Sequence, residues 1–245
     1  QLRHRKRVDR GRGLRVLEGV ENGASAGPAR ERQLFRDLLG SSAARGLIHV
    51  FFATRAATKV PGVTGAGIEP RPIDRVGVLG GGALGSEIAT ALVMAGVEVR
   101  LKEIDERALE AGLARVRRNI ERNVEEGRIS REQGDATLAR ISGQSDYAGF
   151  GELDLVIDTA TRTVEIEQQI FRELVEHTSA RTLLARNTSA LDIEHIAAGT
   201  DAAERVLGMH FSSPAHGMKL VEVVRTRQTS AQVLADTLAL AFTIA

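Results

Sequence analysis

Chemistry can first be read in this chain at a cluster of glycines and a more distant acid. Gly80, Gly82 and Gly85 lie within Gly80-Gly81-Gly82-Ala83-Leu84-Gly85, directly after the apolar residues Val76, Val78 and Leu79. An apolar helical pattern then runs to about residue 95 and is closed by Gly96. In such a motif one glycine permits a tight turn. A second lets backbone approach a pyrophosphate, and a third lets the helix pack close to the strand. The helix N-terminus adds free N–H donors and partial positive charge. Glu103 closes a second apolar run, 97–102, about 20 positions after the first glycine, the spacing at which an acid meets a ribose. A carboxylate there accepts both ribose hydroxyls of NAD and repels the extra phosphate of NADP, although Lys102 and Arg107 stand close by. Gly80, Gly81, Gly82, Ala83, Leu84, Gly85 and Glu103 are the candidate NAD-binding residues. The competing reading of the motif is a purely structural glycine turn.

Two later segments carry side chains suited to acid–base work. His210 ends the apolar run 206–209, and Glu222 falls within the next run, 220–224. A carboxylate that holds one imidazole nitrogen leaves the other free as a base. Spacing alone leaves open a catalytic pair and a satisfied structural histidine. Asn187-Thr188-Ser189 follows the run 182–185, at the strand end where open α/β sheets bind ligands.

The elements that must position these residues alternate. Short apolar runs near 76–79, 97–102, 153–157, 182–185, 206–209 and 220–224 predict strands. Helical patterns are predicted at 105–126, 130–141, 163–177 and 192–198, with a last helix from about residue 229. Alternation of this kind predicts an α/β fold with a Rossmann-type, doubly wound, mostly parallel sheet. A helical stretch at 29–58 and the Pro70-Arg71-Pro72 linker precede it. The expected organisation is a flexible basic arm at 1–28, a helical connector and Pro-rich linker at 29–74, and a dinucleotide-binding domain at 75–245.

Composition excludes several classes. The 245 residues carry 33 Lys+Arg and 32 Asp+Glu, a net charge of +1, so no global field draws the chain to nucleic acid. With Cys 0 there is no disulfide, no thiolate metal site and no Cys nucleophile, and no metal is expected. A Tyr-x-x-x-Lys catalytic pair fails, because the only tyrosine is Tyr147 and position 151 is Gly. There is no Gly-x-Ser-x-Gly elbow for a hydrolase. No apolar run spans a bilayer, so no transmembrane segment is expected.

The stretch 76–225 resembles the NAD-binding domain of (S)-3-hydroxyacyl-CoA dehydrogenases. It is most similar to that domain in the fused alpha subunit of the multifunctional fatty-acid β-oxidation complex. The resemblance is carried by VGVLGGGALGSEIA, SGQSDYAGF, LLARNTSALDIEHIA and VLGMHFSSPAHGMKLVEVV. Residues 31–61, beginning ERQLFRDLLGSSAARGLIHVFF, resemble the connector from the hydratase to the dehydrogenase domain of that family. The resemblance implies oxidation of a 3-hydroxyacyl-CoA to a 3-ketoacyl-CoA with NAD. It places the general base on His210, the acid that orients it on Glu222, and the substrate-side hydroxyl on Ser189, with Asn187 beside it. It also implies a hydratase domain before residue 1, a substrate-clamping helical domain after residue 245, and a thiolase subunit as partner of the parent complex. His216, Pro214 and Met218 are read as loop structure. The Arg- and Ala-rich composition leans to a bacterial cytoplasm, with an organelle matrix as the alternative.

The departures from that family are local. Where its members carry Glu-Ala-Val-x-Glu and then a Lys, this chain has Asp158-Thr159-Ala160-Thr161-Arg162 and then Glu167, so two signs are reversed. Ser213 stands where many members have Asn. These reversals and the missing segments support a second expectation, an NAD-binding fragment or scaffold module with weak cofactor binding and poor turnover. A third reading gives the basic arm an anionic partner.

Overall fold

The computed structural model describes residues 20–23, 25–160, 163–188, 192–218 and 220–244. They divide into two compact units, with the boundary between Thr64 and Gly65. In the first unit the stretch expected as one helical region is two helices, α1 (Ala26–Leu39) and α2 (Ser42–Ala57). The break is made by Gly40 and Ser41. The Ser41 hydroxyl accepts from the Ala44 N–H and caps α2, which satisfies one of the donors a helix start leaves over.

The second unit is built on a seven-stranded sheet. Its strands are β1 (Arg75–Leu79), β2 (Glu98–Lys102), β3 (Ile141–Gln144), β4 (Leu155–Asp158), β5 (Leu183–Arg186), β6 (Val206–Phe211) and β7 (Val221–Arg225). They lie in the order β3-β2-β1-β4-β5-β6-β7. Neighbours are parallel throughout except for β7, which runs antiparallel to β6. The crossovers are α3 (Ala83–Met94), α4 (Glu106–Glu125), α5 (Arg131–Leu138), α6 (Val164–His177) and the short α7 (Ile193–Ala198); α8 (Ala231–Ile244) closes the unit. The doubly wound, mostly parallel α/β architecture expected from the alternating runs is the one observed.

The sheet is apolar on both faces because helices cover both, which is why its strands read as continuous apolar runs. Val76, Val78, Leu155 and Ile157 point to one side, against Ile88 and Leu92 of α3 and Val116 and Ile120 of α4. Val156 and Leu184 point to the other, against Phe171 and Leu174 of α6 and Ile196 of α7. The strand β3 escapes the hydropathy pattern. Its sequence, Ile141-Ser142-Gly143-Gln144, holds one apolar residue, and it takes an edge position beside β2 through the pairing Val99↔Ile141. The helix expected over 130–141 is correspondingly shorter, opening on a reciprocal cap between Ser130 and Gln133.

Candidate functional site

The strand order reverses at β1, where β2 lies on one side and β4 on the other, the place where an open α/β sheet leaves a crevice at its carboxyl ends. The glycine motif occupies that point. Gly80 takes a positive φ of 91°, a conformation that glycine adopts without steric cost. A Cβ at Gly85 would overlap the Gly80 carbonyl oxygen, so the third glycine is what allows α3 to start this close to β1. Thr159, just past β4, donates to the carbonyls of Leu79 (2.8 Å) and Gly80 (3.0 Å) and fixes the turn from the other side. At Gly82 a Cβ would meet nothing within 4 Å. Gly82 also caps α3 without a side-chain acceptor, so the first turn of the helix presents its N–H groups to an open space.

That space is a cavity of about 570 Å³, lined by Gly80, Gly82, Ala83, Leu84 and Gly85. Glu103 reaches its rim from the end of β2. One carboxylate oxygen accepts from the Gly81 N–H (2.6 Å), and the other accepts from the Ile104 N–H (3.1 Å). These bonds fix the carboxylate, and each oxygen keeps a further lone pair for a hydroxyl. Gly81 itself is held on both sides, because Arg115 donates to its carbonyl at 3.0 Å. The glycine cradle, the helix terminus and the acid together fit a dinucleotide with a free ribose edge.

A further part of the wall pairs Lys102, expected close to Glu103, with Tyr147, which the sequence did not point to. Lys102 and Tyr147 line the cavity. The Lys102 ammonium lies 4.4 Å from the centre of the Tyr147 ring, a cation–π contact. The same ring stacks on the His177 imidazole at 4.6 Å and meets the Phe150 ring edge-on at 5.2 Å. The Tyr147 hydroxyl donates to Glu173 at 3.3 Å. Burial, and after it the neighbouring Glu173 carboxylate, push the Tyr147 phenol up to about 12. The chain has one Tyr and no Trp, so tyrosinate absorbance reports this residue alone. The expected titration midpoint is about 12 in the folded chain and about 10 in denaturant. The folded state holds the proton more tightly, so the phenol's contribution to stability is complete below about pH 10 and is lost as pH rises towards about 12. A folded-state midpoint near 10 would contradict this.

His210 and Glu222 face each other across β6 and β7 as a direct register pair. The His210 Nδ1 lies 2.5 Å from a Glu222 carboxylate oxygen. The imidazole is half-buried and the carboxylate more open, with side-chain exposures of 28% and 57%. Neither lines the 570 Å³ cavity. They sit at the carboxyl end of β6, one strand beyond β5, whose following residue Asn187 does line it. Asn187 bridges the two places: its Oδ1 accepts from the Phe211 N–H at 3.0 Å. Asn187, read as a substrate-side residue beside Ser189, thus ties β5 to the strand that carries His210. Ser189, like Arg162, lies outside the described residues, as does the basic stretch 1–19.

The reversed charge at Glu167 has a partner that was also missed. Glu167 is fully buried and pairs with the Arg186 Nε at 2.8 Å, and Asp158 approaches the same nitrogen at 3.7 Å. Arg186, 3% exposed, also donates to the Asp158 carbonyl at 2.9 Å. Within the run Leu183–Arg186 nothing but its charge distinguishes that residue, and its pairing with Glu167 shows that it turns towards α6.

A dinucleotide-binding α/β domain with a His–Glu pair across β6 and β7 is the class that this fold and site define. Residues 75–245 match the family model of the 3-hydroxyacyl-CoA dehydrogenase NAD binding domain. The chain belongs to that family. It is 43% identical over 223 residues to the glyoxysomal fatty acid beta-oxidation multifunctional protein MFP-a of Brassica napus, covering 91% of this chain and 31% of that protein. The peroxisomal fatty acid beta-oxidation multifunctional protein MFP2 of Arabidopsis thaliana is 42% identical over 220 residues, covering 90% of this chain and 30% of that one. The chain therefore spans about a third of the length of these relatives. Among solved structures, (S)-3-hydroxybutyryl-CoA dehydrogenase from Ralstonia eutropha is 32% identical with a TM-score of 0.68, over 70% of this chain and 61% of that one. The 3-hydroxybutyryl-CoA dehydrogenase of Escherichia coli is 33% identical with a TM-score of 0.69, over 71% and 37%.

These names correct one expectation. Relatives named as glyoxysomal and peroxisomal overturn the bacterial cytoplasm drawn from the Arg- and Ala-rich composition. Residue usage of that kind follows the composition of a genome and carries no address. Among the described residues no helix is long and apolar enough to cross a membrane.

Proposed function

We propose that this chain is the dehydrogenase part of a multifunctional β-oxidation enzyme and oxidises (S)-3-hydroxyacyl-CoA to 3-ketoacyl-CoA with NAD. The observation that supports it is the His210–Glu222 pair at the same carboxyl edge of the sheet as the glycine cradle. Gly82 and the first turn of α3 would receive the pyrophosphate, with Gly80 and Gly85 shaping the turn that allows it, and Glu103 the adenosine ribose. When bound, the nicotinamide supplies the two-electron acceptor for a hydride. His210 takes the substrate hydroxyl proton on Nε2, because Nδ1 is held by Glu222. The Glu222 carboxylate then stabilises the imidazolium that forms. The family resemblance gives Ser189 the role of hydrogen-bonding the reacting oxygen, with Asn187 fixing the strand ends beside it. Residues 29–74 act as the connector, the product is a substrate for a thiolase partner, and the compartment is the organelle matrix of the relatives.

The test runs the reaction in reverse. The full chain is mixed with acetoacetyl-CoA and NADH, and the loss of NADH absorbance is followed. Turnover is expected, at least about tenfold faster with NADH than with NADPH because Glu103 repels a 2′-phosphate. Binding of NADH with no turnover would leave a nucleotide-binding module and remove the dehydrogenase reading.

A further inference from the structure

One side chain joins the helix that cradles the dinucleotide to the hairpin that carries the acid–base pair. Glu87 stands in the second turn of α3, two residues after Gly85. One of its carboxylate oxygens accepts from the Ser213 hydroxyl at 2.9 Å and from the Ala215 N–H at 3.1 Å. Ser213 and Ala215 belong to the connection from β6 to β7, the strands that hold His210 and Glu222. Within it, residues 214–218 form a tight turn, in which the Gly217 and Met218 N–H groups both donate to the Pro214 carbonyl at 2.9 Å. Ala215 is buried and packs into the core that includes Ile88 and Leu92 of α3. The turn is thus stiff in itself, and Glu87 ties it to α3 at two points.

Hydrogen bonds to a carboxylate are about twice as strong as neutral ones, and two on one oxygen restrain rotation as well as distance. The tie matters because the reaction needs two groups from different elements at a fixed separation. The cradle is set by α3 and β1, and the base is set by β6 and β7. A displacement of about 1 Å between such groups costs on the order of 100-fold in rate. We propose that Glu87 is a positioning residue that sets the His210–Glu222 hairpin against the dinucleotide cradle. This deepens the dehydrogenase reading and rests on it for its effect on turnover.

The full chain is compared with Glu87→Ala, Glu87→Gln and Ser213→Ala. Three quantities are measured: amide hydrogen exchange at Ala215, NADH affinity, and turnover of acetoacetyl-CoA. Glu87→Ala is expected to speed Ala215 exchange and to lower kcat about tenfold, with NADH affinity kept within about twofold. Glu87→Gln keeps an acceptor oxygen and should return both quantities to near the wild-type values, whereas Ser213→Ala, which removes one of two donors, falls between. Unchanged Ala215 exchange in Glu87→Ala overturns the proposal. So does a Gln variant as impaired as the Ala variant, or NADH affinity falling in step with kcat, since those outcomes describe a residue that only supports the fold. If the wild-type chain shows no turnover, the dehydrogenase reading fails separately. The tie is then judged by Ala215 exchange and by the His210 imidazole signal in NMR, which should move in Glu87→Ala and not in Glu87→Gln. No movement overturns it.

Discussion

Replacing His210 by Gln is expected to slow acetoacetyl-CoA reduction by roughly 100- to 10,000-fold, the usual contribution of a positioned general acid–base group. A glutamine amide has nearly the right shape and can still donate to Glu222, so the hairpin stays in place. It has no titratable nitrogen, and so cannot give the proton in one direction or accept it in the other. The cradle is formed by α3 and the ends of β1 and β2, well apart in sequence from β6. NADH affinity should therefore remain within about twofold. Stopped-flow measurement of NADH oxidation, with NADH binding followed by fluorescence in parallel, separates the two quantities. A variant that keeps more than about a tenth of wild-type turnover would remove His210 from the chemistry, because a general base contributes more than that.

The second large effect is steric. Alanine at Gly85 drives its methyl group into the Gly80 carbonyl oxygen and against the Thr159 hydroxyl. The first belongs to the turn itself and the second, just past β4, is bonded to it, so the methyl group fits only if α3 moves away from β1. We expect a loss of about 3 kcal/mol in unfolding free energy, the upper part of the range for an overpacked site. NADH binding should weaken with it. Alanine at Gly82 gives the contrast. Its φ of −61° suits any residue, and no heavy atom lies within 4 Å of the added carbon. That variant should fold with nearly wild-type stability, yet it places a methyl group where backbone and pyrophosphate would meet. Urea unfolding combined with NADH titration distinguishes the two positions. Equal loss of stability in both variants would refute the assignment of separate roles.

The parts of this molecule legible in the sequence are those in which one local pattern has one meaning. Runs apolar on both faces, such as Leu155–Asp158, define interior strands, and a glycine-spaced turn before an apolar helix defines a phosphate cradle. His210 and Glu222 could be named as a pair because one ends such a run and the other lies within the next, but their facing register depends on the antiparallel return of β7. The edge strand β3 was not legible, since a strand with one buried side has little apolar signal to give. Arg186, Tyr147 and Glu87 were not legible either. Each acquires its role from a residue that only the fold brings near: Arg186 from Glu167, Tyr147 from Lys102 and His177, and Glu87 from Ser213 and Ala215. The helical break at Gly40-Ser41 lies between these cases, because a serine cap is a visible signal that a continuous apolar pattern overrides.

The ion pair between Glu167 and Arg186 constrains how this chain can change. Both groups are out of contact with water, and a lysine at 167 would set a second positive charge against the Arg186 guanidinium in the interior. A single-step exchange at 167 therefore passes through an intermediate with two like charges side by side away from water. The two sites must therefore drift as a block, and a laboratory graft of the usual family lysine at 167 will succeed only if residue 186 is rewritten in the same step.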